Sequence, residues 1–187
     1  MEGKVFVTGL GFITSIGNNR DAVEGSLREL RGGIGLHPGL QVDASPVKVA
    51  GIVKDFEVDS IDPEDWIYPE QYHVPRAIIR SFSPHVLYAW CALRQAVEDA
   101  GLNGEDVSDA DSGIYTASGG SMKHIHKHFQ MMGERGVMAC NPLAIIASIA
   151  GTLNFNLVAA LGIRGSSTGL VSACASSGHA LGLALDE

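Results

Sequence analysis

The sequence predicts an α/β layered fold in which helices pack on a mixed sheet. Short β-branched runs alternate with segments of helical apolar periodicity. Two helical segments open on a capping residue followed by proline, and glycines punctuate the ends of strands and helices. With 187 residues, 45% of them hydrophobic, the chain can build one sizeable core. No internal repeat or flexible linker divides it, so it reads as a single domain.

Taken in order, residues 4–8 form a β-branched run ending at Gly9 and Gly11, the pattern of a buried strand and tight turn. Asn19 caps a helix from Arg20 to about Leu30, with Val23, Leu27 and Leu30 on one face. A glycine-rich loop follows, then a strand over 47–53. Residues 55–70 carry most of the acidic excess and read as a solvated loop or short turns. One or two helical turns span 76–80. Ser83-Pro84 opens a helix to about Ala100, its apolar face formed by Val86, Trp90, Leu93 and Val97, with Gly101 as the stop. A second core strand over 112–117 runs into Ser118-Gly119-Gly120-Ser121, and a helix occupies 122–132. Asn141-Pro142 opens another helix through Ile145, Ile146 and Ile149. A third strand spans 168–172, and a helix of small apolar residues begins at Cys174.

Net charge is −8, from 13 basic and 21 acidic side chains. That balance lacks the electrostatic footprint of a nucleic-acid binder. No apolar run reaches the ~18 residues of a membrane span, and the N-terminus has no signal-peptide layout. Cys91, Cys140 and Cys174 are too far apart for a zinc ribbon or disulfide framework, which fits a reducing cytoplasm.

Several motifs have ordinary readings. Gly9-Leu10-Gly11-Phe12-Ile13-Thr14 matches two of the three glycines of a dinucleotide-binding turn, but Thr14 replaces the third and no ribose-binding carboxylate follows. A turn that packs is the better reading than a nicotinamide site. His124, His126 and His128, beside Lys123 and Lys127, read as a solvated basic face; no Cys or carboxylate completes a metal set within the segment. Cys91 reads as a core residue, and Cys140 carries no signal.

Cys174 differs. A strand delivers it to the start of a helix built from Ala, Ser and Gly, small enough to pack deep in the fold. Unpaired N–H groups and a partial positive charge at a helix N-terminus favour a thiolate, which nucleophilic catalysis needs. Composition alone equally allows a buried cysteine in an alanine-rich helix. His179 lies about 140° around the helix from Cys174, so a general base must come from elsewhere.

The chain resembles the N-terminal half of the β-ketoacyl-acyl-carrier-protein synthases, elongating condensing enzymes of the thiolase superfamily. The resemblance runs end to end. It rests on Val5-Phe6-Val7-Thr8-Gly9-Leu10-Gly11, Ala96-Val97-Glu98-Asp99-Ala100-Gly101-Leu102, Ser118-Gly119-Gly120-Ser121, Gly162-Ile163-Arg164-Gly165 and, most specifically, Ser172-Ala173-Cys174-Ala175-Ser176-Ser177-Gly178-His179.

The resemblance implies a thiolase-like layered fold, with residues 1–187 an incomplete N-terminal domain. It implies that Cys174 accepts an acyl chain from a carrier thioester and passes it to a decarboxylated malonyl unit. The Cys174 N–H would be one oxyanion donor, His179 would be structural, and Gly119 and Gly120 would border the acyl pocket, Gly120 widening it. Arg76, Arg80 and Arg135 match basic positions for an acidic acyl carrier protein. The intact enzyme would be a cytoplasmic homodimer with no metal or organic cofactor. Members are about twice this long, and their second half supplies two histidines, a lysine and a second oxyanion loop. The 187-residue chain alone is therefore expected to condense little. A non-catalytic partner similar to a chain-length factor, or a thiolase acting on coenzyme A esters, are the rival readings.

Overall fold

The structure, a computed structural model, describes residues 4–187. Its centre is helix α3 (Pro84–Asp99), which is preceded by extended backbone at Ser83 and opens on proline as its sequence predicts. Phe82, Val86, Leu87 and Cys91 are fully buried around it, with Trp90, Val74 and Ile79 beside them. Each such side chain contributes about 1.5–3 kcal/mol of apolar burial. The Trp90 indole N–H donates to the Tyr72 carbonyl at 3.2 Å, so the large ring enters the core without an orphaned donor. Gly101 ends the helix at φ +70°, a conformation glycine adopts without steric cost. Burial pushes the Cys91 thiol up to about 12, so this sulfur is a neutral core group.

The amino-terminal run does not form the expected strand. Residues 4–8 have no ladder partner among the described residues, and Val5, Phe6 and Val7 are exposed. The following turn is held by α3 side chains instead. Asp99 accepts from the Leu10 N–H at 3.0 Å, and Gln95 exchanges hydrogen bonds with both backbone groups of Phe12. Gly9 and Gly11 lie so close to α3 that a Cβ on either would collide with the carbonyl oxygens of Ala96 and Ala92. The glycine pair is a packing turn.

Helix α1 (Arg20–Arg28) begins at Asn19, whose side-chain oxygen accepts from the Ala22 N–H at 2.8 Å. Val23 is buried, but Leu27 and Leu30 are exposed; the helix ends before Leu30, which takes φ 53°. Strands β1 (Ile34–Leu36) and β2 (Val49–Gly51) pair antiparallel as a small ribbon.

The acidic 55–70 stretch forms short turns, yet it is not simply solvated. Trp66 is buried, and its indole N–H donates to the Ser60 carbonyl at 2.9 Å. Helix α2 (Arg76–Ile79) then leads into α3, and a short capped helix, α4 (Gly104–Val107), follows it.

Strand β3 (Ile114–Ala117) pairs in parallel with β4 (Ser167–Leu170), Ala117 opposite Leu170. The connection between them contains α5 (Met122–Arg135), α6 (Ala144–Ser148) and α7 (Thr152–Leu161). The Asn141-Pro142 start is displaced: Asn141 caps a turn by accepting from the Leu143 N–H, and the helix stops at Ser148. Ser148 is where the 118–121 loop crosses, its carbonyl accepting from the Ser121 N–H at 2.8 Å. The strands therefore form two separate pairs, one antiparallel and one parallel, where a single mixed sheet was expected. The α/β class holds, because helices α7 and α8 (Ser176–Asp186) pack on the parallel pair.

Candidate active site

The carboxyl ends of two adjacent parallel strands are the usual mouth of an α/β site, because both chains must turn there. Here β3 delivers Ser118-Gly119-Gly120-Ser121 and β4 delivers Val171-Ser172-Ala173-Cys174. The Ser118 N–H donates to the Leu170 carbonyl at 3.3 Å, so the loops diverge from a common point.

Cys174 sits exposed at the centre of a single 3-10 turn, Ala173–Ala175, that leads into α8. The turn is strained. Ala173 has φ 47°, a left-handed conformation that costs a non-glycine residue about 1 kcal/mol or more. Ser176 holds it: the buried hydroxyl accepts from the Ser172 N–H at 2.7 Å and donates to the Ala173 carbonyl at 2.7 Å. The Ala175 N–H donates to the Ser172 carbonyl at 3.0 Å. The Cys174 N–H has no hydrogen-bond partner among the described residues, which leaves it available to an oxyanion. Sequence reasoning missed Ser176 as the clamp; its signal was a serine four residues after Ser172.

Helix α8 does not pack deep in the fold. Only Ser176 and Ala180 are buried, while Leu181 and Leu185 are exposed. One side of the helix rests on β3 and β4 and the other stays open. His179 is exposed on α8.

The two loop glycines differ. A Cβ on Gly119 would meet open space, whereas one on Gly120 would lie 2.6 Å from the Ser148 carbonyl oxygen. Gly120 also has φ +76°. Its missing side chain permits close backbone packing and does not widen a cavity, contrary to expectation.

Arg76, at the start of α2, and Arg80, its C-cap, both reach Glu64, at 2.8 and 3.8 Å. The carboxylate raises the Arg76 guanidinium above its usual range. Arg135, at the end of α5, is exposed and has no ion pair among the described residues.

The histidine run is not a solvated basic face. His124 and His128 are buried, and only His126 of the three is exposed. Residues 124 and 128 share the α5 face turned to Trp66, whereas Lys123 reaches Asp59 at 2.5 Å.

A cysteine-bearing turn between a parallel strand and a helix, with a glycine loop leaving the neighbouring strand, is a candidate nucleophile site on an α/β scaffold. The chain belongs to the β-ketoacyl synthase family: the model of that family's N-terminal domain matches residues 2–187. It is 31% identical to 3-oxoacyl-(acyl-carrier-protein) synthase 1 of Haemophilus influenzae over 98% of its own length and 42% of the relative's. The enzyme of the same name from Escherichia coli K12 is also 31% identical, over 98% of this chain and 43% of the relative. A crystal structure of a β-ketoacyl synthase from Burkholderia phymatum superposes with a TM-score of 0.76 at 27% identity, covering 96% of this chain and 42% of that one. The chain thus spans less than half the length of these relatives.

Proposed function

We propose that the protein works as a β-ketoacyl-acyl-carrier-protein synthase, with Cys174 as the acyl nucleophile. The observation that carries the reading is the exposed Cys174 on its strained turn, held by Ser176 at the mouth of the parallel strands. The Cys174 thiolate attacks the carbonyl of an acyl-carrier thioester. The tetrahedral intermediate collapses, expelling the carrier thiolate, which takes up a proton, and leaving the acyl group on sulfur. A malonyl-carrier thioester then loses carbon dioxide. The electron pair of the broken bond becomes a carbanion that attacks the acyl carbonyl and expels the Cys174 thiolate. In this reading the Cys174 N–H, which has no hydrogen-bond partner among the described residues, donates to the oxygen on which negative charge develops.

On this reading residues 1–187 are the N-terminal part of a condensing domain, and Gly119 and Gly120 border the acyl site. Arg76, Arg80 and Arg135 meet the acidic carrier protein. Family resemblance supports these roles, together with a cytoplasmic homodimer. Cys174 itself weighs against a non-catalytic chain-length-factor role, which predicts that no acyl group is taken up. The full-length protein, given acyl- and malonyl-carrier thioesters, is expected to release carbon dioxide and β-ketoacyl product, and Cys174→Ala to form none. Faster acylation from coenzyme A esters than from carrier thioesters would favour a thiolase instead.

A further inference from the structure

His124 and His128 lie one turn apart on α5, 4% and 7% exposed, with ring centroids 4.6 Å apart. Trp66 meets His124 edge-on at 6.3 Å. The protonation of two imidazoles follows from their partners. His128 Nδ1 lies 2.9 Å from the His124 carbonyl, which can only accept, so Nδ1 carries a hydrogen. The Ser83 hydroxyl donates to the Ala147 carbonyl at 2.5 Å, so it accepts from His85 Nδ1 at 2.8 Å. Both Nε2 atoms are buried without a hydrogen-bond partner among the described residues. A proton added in this cluster would therefore be buried without a partner.

The surroundings do not welcome a cation. Lys123 and Lys127 flank the pair on α5, Arg76 and Arg80 stand at the two ends of α2, and Tyr88 follows His85 on α3. The nearby carboxylates are engaged: Asp59 with Lys123, Glu64 with both arginines, and Asp62 as a cap accepting from the Glu64 N–H at 3.0 Å. Lys127 also binds the Asp59 carbonyl, and the Cys140 thiol lies 3.8 Å from the His128 carbonyl. Asp62 and Asp65 have no ion pair among the described residues, but both are exposed to solvent, Asp65 accepting from the Ser60 hydroxyl at 2.9 Å.

We propose that His124, packed on Trp66 and His128, is an acid-releasable latch: neutral, it holds α5 against the 59–66 segment, and its protonation frees α5. Burial depresses His85 and His124 to about 4, with the charges of His128, Lys127 and His85 adding to the effect on His124. A depressed imidazole binds its proton more readily once released. The latch is thus complete above the ordinary value of 6.5 and weakens progressively as pH falls from there towards about 4. Ser121, which follows the Gly119-Gly120 loop, is the N-cap of α5.

Hydrogen exchange by mass spectrometry on the full-length protein tests this. Corrected for intrinsic rates, peptides covering 122–135 should exchange about tenfold faster at about pH 4.5 than at about pH 7, while those covering 84–99 stay protected. His124→Phe, which keeps a ring on Trp66 without a titrating nitrogen, should move the loss to lower pH. Simultaneous loss in both helices, or a His124→Phe profile identical to the wild type, overturns the latch. If that variant does not fold, imidazole NMR titration of the wild type decides. A midpoint for His124 well below 6.5 supports the latch, and one at the ordinary value overturns it.

Discussion

Ser176 does more for the site than its size suggests, because two hydrogen bonds from one buried hydroxyl fix the strained Ala173 peptide next to the nucleophile. Ser176→Ala removes both and should cost about 1–2 kcal/mol of stability. It should also slow acylation of Cys174 with little change in overall fold, measurable as a lower single-turnover rate with an unchanged far-ultraviolet circular dichroism spectrum. Gly120→Ala acts differently. Its φ of +76° and the Ser148 carbonyl at 2.6 Å predict a loss of about 1–3 kcal/mol in urea unfolding. The position of Cys174 between a strand and a small-residue helix was legible from sequence, while its role as nucleophile comes from the family resemblance. The Ala173 strain and the Ser176 clamp were not, since φ and hydrogen-bond partners depend on the assembled backbone.

Elements with their own local signals were the readable ones. The Asn19 cap, the Ser83-Pro84 start and the Gly101 stop all determine helix ends through contacts within a few residues. A strand has no such autonomy: residues 4–8 have the right composition but no ladder partner among the described residues, and α3 side chains hold the turn that follows. Trp66 was misjudged because acidic neighbours mask a core residue that reaches inward from a loop. The histidines of α5 were misjudged for the same reason, since flanking lysines disguise a buried face. At this scale the core around α3 gives the sharpest stability prediction. Phe82→Ala, at a fully buried site, should destabilise by about 3–5 kcal/mol in denaturant titration.

Across the whole molecule, the proposed function sets a net charge of −8 against an acidic carrier at long range, with Arg76 and Arg80 as a proposed local attraction that Glu64 partly neutralises. These exposed pairs with Glu64 are weak, so a carrier carboxylate can displace them. Salt screens attraction and repulsion alike. If the local patch dominates, KM for the carrier thioester should rise with ionic strength in the wild type and fall with it in an Arg76→Ala/Arg80→Ala double variant. The most direct test of the central claim is peptide mapping of the acyl group after the protein is incubated with an acyl-carrier thioester. The account predicts the acyl mass on the Cys174 peptide and its loss in Cys174→Ala. Acyl transfer to Cys91 or Cys140, or none to Cys174, would contradict it.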